Sequence, residues 1–191
     1  MRNTSRFFRL ISLLFLLLVG ISISAQAQEK IIIQAYARGT STQMGKMFPV
    51  KIFIDQISTD EDQMKLIEAF KRSGNDGMVD ALASMSEKGR IAFEGRVGNV
   101  VRYIRELPSK NGRRFRLVSD RYVFIAELRE GTRSSEYSIG AVELTITPDG
   151  KGSSGTLLPA CKLKVNKQKQ IEIESYQNPW ELTDFIVTTG K

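Results

Sequence analysis

Histidine is absent from all 191 residues. No step in this protein can use an imidazole as general base, and the commonest zinc ligand is missing. Cysteine occurs once, at Cys161, so no internal disulfide can form and the core alone must hold the fold. In "GTLLPACKLKV" Cys161 shares the strand parity of Leu157, Leu163 and Val165, which marks a small buried apolar residue. A reactive thiol would need a basic neighbour in an accessible place. Neither G-x-S-x-G nor S-x-x-K occurs, and a serine hydrolase would have no base. The single tryptophan, Trp180 in "QNPWELTDF", is expected to cap one end of a core rather than line a site.

Long apolar runs are also scarce. The one that exists, "LISLLFLLLVGISI" (Leu10 to Ile23), has 14 residues, short of the roughly 20 that a spanning helix needs. Arg2, Arg6 and Arg9 precede it, and Ala25 and Ala27 follow at A-x-A spacing. That order predicts a secretory signal peptide over residues 1–27, cleaved to leave Gln28 first, and no transmembrane segment afterwards. The expected address is periplasmic or extracellular. The mature chain, 28–191, has the length of a single domain. The headline charge of +7 shrinks on cleavage, because the signal peptide holds three of 28 basic residues and none of 21 acids: 25 − 21 = +4. That is solubility charge, and it points away from nucleic acid.

What is present is mostly strand. "KIIIQAYAR" (30–38) and "MFPVKIFIDQI" (47–57) are β-branched and aromatic, joined by the loop "GTSTQMGK". Then the period changes. Residues 59–88 predict a helical hairpin. Ser58 or Thr59 can cap it, Ser58 and Glu61 stand at capping-box spacing, and Gly74 separates two helices of which the second runs to Lys88. Asp60, Glu61 and Asp62 suit the first turn and its dipole better than a metal. Met64, Ile67, Phe70, Met78, Leu82 and Met85, with Leu66, supply one apolar side, which must bury against the sheet.

After Gly89, strands are expected at 90–97, 100–107, 113–119, 122–130, 136–147, 155–165, 170–176 and 183–189, with turn signals every eight to twelve residues. The pattern predicts one mainly β domain of about eight to ten antiparallel strands, a barrel or a two-sheet sandwich. The hairpin is inserted after the second strand, covering a sheet face or plugging a barrel end. In "KLKVNKQKQIEIE" a three-residue loop would set Lys164 opposite Glu172 and Lys162 opposite Glu174.

Two motifs carry less than they suggest. "GKGSSG" (150–155) matches G-x-G-x-x-G, but a dinucleotide site needs a helix next and a strand start follows, so a glycine-rich hairpin loop explains it. Asp149 lacks further ligands at calcium-loop spacing. No pair of carboxylates stands out for acid/base work. The reading is therefore a non-enzyme without cofactor or metal.

The segments "IFIDQISTDEDQMKLIEAFKRSGNDGMVDALASM", "FRLVSDRYVFIAE", "SIGAVELTITPDGKGSSGTL" and "ACKLKVNKQKQIEIESYQNPWELTDF" resemble a family of secreted, β-rich bacterial proteins with no assigned function. The resemblance spans roughly residues 50–188. It implies a shared fold and export, and no activity, ligand or site.

Two roles fit these residues. The first is an interaction or structural module of the cell envelope. Arg102, Arg105, Arg113, Arg114, Arg116 and Arg121, with Lys110, face only Glu106 and Asp120 in the local sequence, which offers an acidic partner protein or anionic polymer a basic hairpin. The plainer reading of the same charges is a solvated hairpin protected from aggregation. The second role is a carrier, in which the Met-rich hairpin closes a β cavity over a lipid or small apolar molecule.

Overall fold

The structure, a computed structural model, describes residues 29–94, 97–123, 137–175 and 178–190. The signal peptide expected over residues 1–27 and most of the strand expected at 122–130 lie outside the described residues. The strands are β1 (Lys30–Arg38), β2 (Met47–Ile54), β3 (Gly89–Phe93), β4 (Asn99–Leu107), β5 (Arg113–Ser119), β6 (Ile139–Ile146), β7 (Ser154–Val165), β8 (Ile171–Ser175) and β9 (Trp180–Gly190).

β1 to β7 pair in sequence order, β7 pairs β9, and β9 returns to β1, all antiparallel. Eight strands thus close a barrel, and the sandwich alternative falls away. β8 stands outside the ring, paired only with the far half of β7. The register there is the expected one, Lys164 opposite Glu172 and Lys162 opposite Glu174.

Alternation fills the inside. On β1, Ile31, Ile33, Ala35 and Ala37 are buried, while Gln34 and Tyr36 between them are exposed. Their partners inside include Ile52, Phe115, Val142 and Leu157. Trp180 opens β9, three residues earlier than the expected strand, because its ring is drawn into the barrel end. It is fully buried with its centroid 4.9 Å from that of Phe48, which in turn meets Phe93 edge-on at 5.5 Å. Pro49 sits where β2 has a strand on one side only, since the β2–β3 pairing begins at Val50.

The helical segment α1 (Asp60–Ser84) follows β2. Ser73 (φ −144°) and Gly74 (φ 60°) leave the helical region midway. Beyond them Gly77 lies so close to Ala69 that a Cβ would stand 2.4 Å from the Ala69 carbonyl oxygen. Residues eight apart in a straight helix are roughly 12 Å apart along the axis, so the two arms fold back as a hairpin. The capping box is Thr59 with Asp62, one position later than the Ser58–Glu61 pair. Ser58 is instead buried, its backbone N–H donating to the Ile104 carbonyl at 2.7 Å and its hydroxyl accepting from Ile104 N–H at 3.0 Å. The second arm ends at Ser84 rather than Lys88. Strand hydrogen bonds claim Lys88: its N–H donates to Val101, and its carbonyl accepts from Asp55 and Gln56.

The hairpin covers the outer wall of the barrel and plugs neither end. Leu66, Ile67, Met78, Leu82 and Met85 form a second core with Tyr103, Val118, Ala141, Cys161, Leu163 and Ile171, the outward-facing side chains of β4 to β8. Asn75 Oδ1 accepts the Leu163 N–H at 2.8 Å, and the Arg102 guanidinium donates to the Met85 carbonyl at 2.7 Å. Two expected lid residues contribute less than the others. Met64 is 47% exposed, and Phe70 packs only partly on this core.

Candidate functional site at the barrel mouth

Strand alternation splits the arginine cluster. Arg102, Arg105, Arg114 and Arg116 face outward, whereas Arg113 has the inward parity of Phe115 and Leu117. Arg105, Arg114 and Arg116 take acids from distant sequence that local reading misses. Arg105 meets Asp60 at 2.7 Å, Arg114 meets Glu143 at 2.9 Å, and Arg116 Nε donates to Glu143 at 2.6 Å. Arg102 takes Asp120 at 2.9 Å. Arg113 clasps Glu106 with two bonds of 3.0 and 2.9 Å, reaches Glu29 at 3.4 Å and lies 4.9 Å over the Phe115 ring. The Glu106 carboxylate holds the Arg113 guanidinium above its usual pKa. Arg121 is exposed in the turn after β5, with no ion pair among the described residues. Arg105, Arg114 and Arg116 do converge on one groove of about 530 Å³ between α1 and β8. An anion entering it would have to displace Asp60 or Glu143.

Buried groups elsewhere serve the frame. Lys88 Nζ joins Asp62 at 3.2 Å and Gln56 at 3.2 Å, tying the start of α1 to the barrel. Burial pushes the Cys161 thiol up to about 12, so it is a core residue and no nucleophile. "GKGSSG" forms the β6–β7 turn, as its strand context requires. Asp149 lies in that turn.

A wide opening lies at the mouth, where β9 outruns its pairing with β7 among the described residues. β9 pairs with β7 at three positions only, Leu157 with Trp180, Thr156 with Glu181 and Gly155 with Leu182. Past Leu182, β9 runs on to Gly190 along β1, with no strand on its other side among the described residues. The β6–β7 turn should have continued that wall, but it closes on itself. Thr147 N–H donates to Ser153 Oγ at 3.1 Å, Thr147 Oγ1 donates to the Lys151 carbonyl at 2.9 Å, and Gly150 N–H donates to the Thr147 carbonyl at 3.0 Å. Gly112 anchors the neighbouring turn so tightly on the end of β6 that a Cβ would stand 2.1 Å from the Ile146 carbonyl.

Between this turn and β9 lies a groove of about 870 Å³. Ile31, Ile146, Phe185 and Val187 make its apolar floor, and Arg113, Lys151 and Asp184 stand on its rim. Asp184 has φ +56°. The β1–β9 register slips there, so that Asp184 and Phe185 together oppose Ala35. This is a bulge whose left-handed position usually belongs to glycine, and its strain costs on the order of 1–2 kcal/mol. Thr183 Oγ1 donates to the Asp184 carboxylate at 2.9 Å.

The mouth and the Asp184 bulge are functional candidates that the sequence reading does not contain. The available sign was "FIVTTG" (185–190), a strand without one charged residue. No protein-family model matches the chain, and no curated protein or solved structure matches it either.

Proposed function

We propose that this chain is an exported, non-enzymatic interaction module of the cell envelope, and that it meets its partner at the barrel mouth. The observation that carries the reading is the incomplete seam: β9 continues past Leu182 along an apolar groove, with no strand on the side away from β1 among the described residues. Edges and grooves of that kind are binding surfaces in β proteins. The anionic-polymer version draws less support, since five of the six arginines are engaged by carboxylates.

A carrier of a lipid or small apolar molecule is the second reading, favoured by the apolar floor of Ile31, Phe185 and Val187. Its ligand would lie in the mouth, away from the hairpin. The two readings separate by site-specific photocrosslinking in the native envelope, with the crosslinker at Ile186 or, as control, at exposed Ala83 on α1. A protein adduct from Ile186 and none from Ala83 is the expected result. No adduct from Ile186, with a small molecule retained in native mass spectra and lost on denaturation, would replace the interaction reading by the carrier.

A further inference from the structure

Among the described residues β8 and the end of β9 each present a free strand edge, and the two are finished differently. β8 is short, carries Glu172 and Glu174, and has its Ile171 carbonyl capped by the Arg116 guanidinium. Those are the usual protections of a sheet edge. Past the Asp184 bulge, β9 has none of them among the described residues. From Phe185 to Gly190 it has no charge and no proline, and Ile186 is 62% exposed. An edge of that composition is a template for pairing.

We infer that the β9 edge takes one extended polypeptide segment of a partner as an added strand, lodged between β9 and the β6–β7 turn. This rests on the mouth being the interaction surface, and it names the occupant. In an antiparallel pair alternate residues direct their N–H and C=O groups to opposite sides. Half the backbone groups of Phe185–Gly190 therefore bond β1, and the other half point into the groove. Their repeat, two residues or roughly 6.7 Å, is matched by another strand and by no lipid chain. The far wall is made by the turn and Gly112–Arg113. The inward side chains of the added strand would rest on Ile146, Phe185 and Val187, so every second residue of the segment is apolar.

The test uses a fluorescein-labelled peptide of alternating valine and threonine with a lysine at each end, titrated into the mature chain and read by anisotropy. Saturable binding is expected, with at least a tenfold loss when the valine amides are N-methylated, which keeps the side chains and removes the backbone donors. Ile186→Pro and Val187→Pro form the protein side of the test. Of these adjacent positions one N–H bonds β1 and the other faces the groove. The variant whose melting temperature stays near that of the parent should lose at least tenfold in peptide affinity.

Absence of saturable binding by the folded parent overturns the added strand, as does equal affinity of the methylated peptide or of the folded proline variant. A dimer in sedimentation that dissociates in the proline variants overturns the single-segment occupant in favour of a second copy. A crosslink from Ile186 without peptide binding leaves the mouth as the interaction surface and removes only the strand; loss of both removes the mouth.

Discussion

The barrel interior and the layer beneath α1 are both cores of this protein, and they are built on different terms. The interior is supplied mainly by strands, with Val123 added from the segment after β5 and Ile57 from the link before α1. Ile31, Ile33, Ile52 and Leu117 reach it through simple alternation, and its main irregularity is the Trp180–Phe48–Phe93 cluster at one end. The outer core joins two surfaces with different periods, a helical stripe and a strand face. It holds Met78 and Met85, whose flexible side chains suit such a joint, and it also holds Tyr103 and Cys161. The interior cluster contains neither methionine nor a titratable group. A face that alternation fills can be uniform, whereas a face that two periodicities share needs adaptable residues.

The comparison can be broken with truncations in each core. Trp180→Ala should cost about 3–5 kcal/mol, and Leu82→Ala about 2–5 kcal/mol. Native-state hydrogen exchange should show the first lowering protection throughout β1, β9 and α1. The second should lower protection in α1 while the slowest amides of β1 and β2 hold. Equal loss everywhere from Leu82→Ala would make the two cores one cooperative unit.

Alkali sharpens the comparison next. Burial raises the Tyr103 hydroxyl and the Cys161 thiol each to about 12, from ordinary values of 10 and 9. Both hold their protons more tightly folded than unfolded. Their contribution is present in full below pH 9 and is lost as pH climbs from 9 toward 12. By pH 11 the loss is on the order of 4 kcal/mol. Denaturant melts from pH 8 to 11 should show it, and the double variant Tyr103→Phe, Cys161→Ala should flatten the profile. A profile that stays steep in that variant would place the alkaline sensitivity outside this layer.

The smallest effect is at the far rim of the outer core. Lys169 is exposed at φ +59° in the β7–β8 turn, where its N–H donates to Asn166 and its carbonyl accepts from Gln63. Lys169→Gly keeps both backbone bonds and removes the left-handed cost. It should stabilise by about 1 kcal/mol, seen as a rise of a few degrees in melting temperature. A fall would mean that the lysine side chain contributes more than its backbone costs.

Local chemistry made much of this fold legible. β1 has the bounds that its β-branched run predicts, Gly74 breaks the helices, and the Lys/Glu alternation fixes the β7–β8 register. Long-range partners were not legible. Glu143 and Asp60 neutralise arginines some 27 to 45 residues away in the chain, a pairing that only strand and helix adjacency creates. The end of the second arm was hidden for the same reason, since Val101 and Gln56 draw Lys88 out of the helix. The mouth could not be read because it depends on β9 outrunning β7, a difference in strand lengths across a seam. The Asp184 bulge looks like any Thr-Asp pair until its register with Gln34 and Tyr36 is known.

Ring closure also has a kinetic consequence. Lys30 lies opposite Gly190, so the first and last described strands are neighbours. No length of this chain that stops before β9 can complete the barrel, however much of its interior is already apolar and patterned. Contacts between such distant residues carry the largest loop-closure cost and form slowly. Until β9 arrives, β1 and β7 each keep an unsatisfied edge, and the growing chain remains an open, unfinished sheet with nothing yet to commit it to a shape.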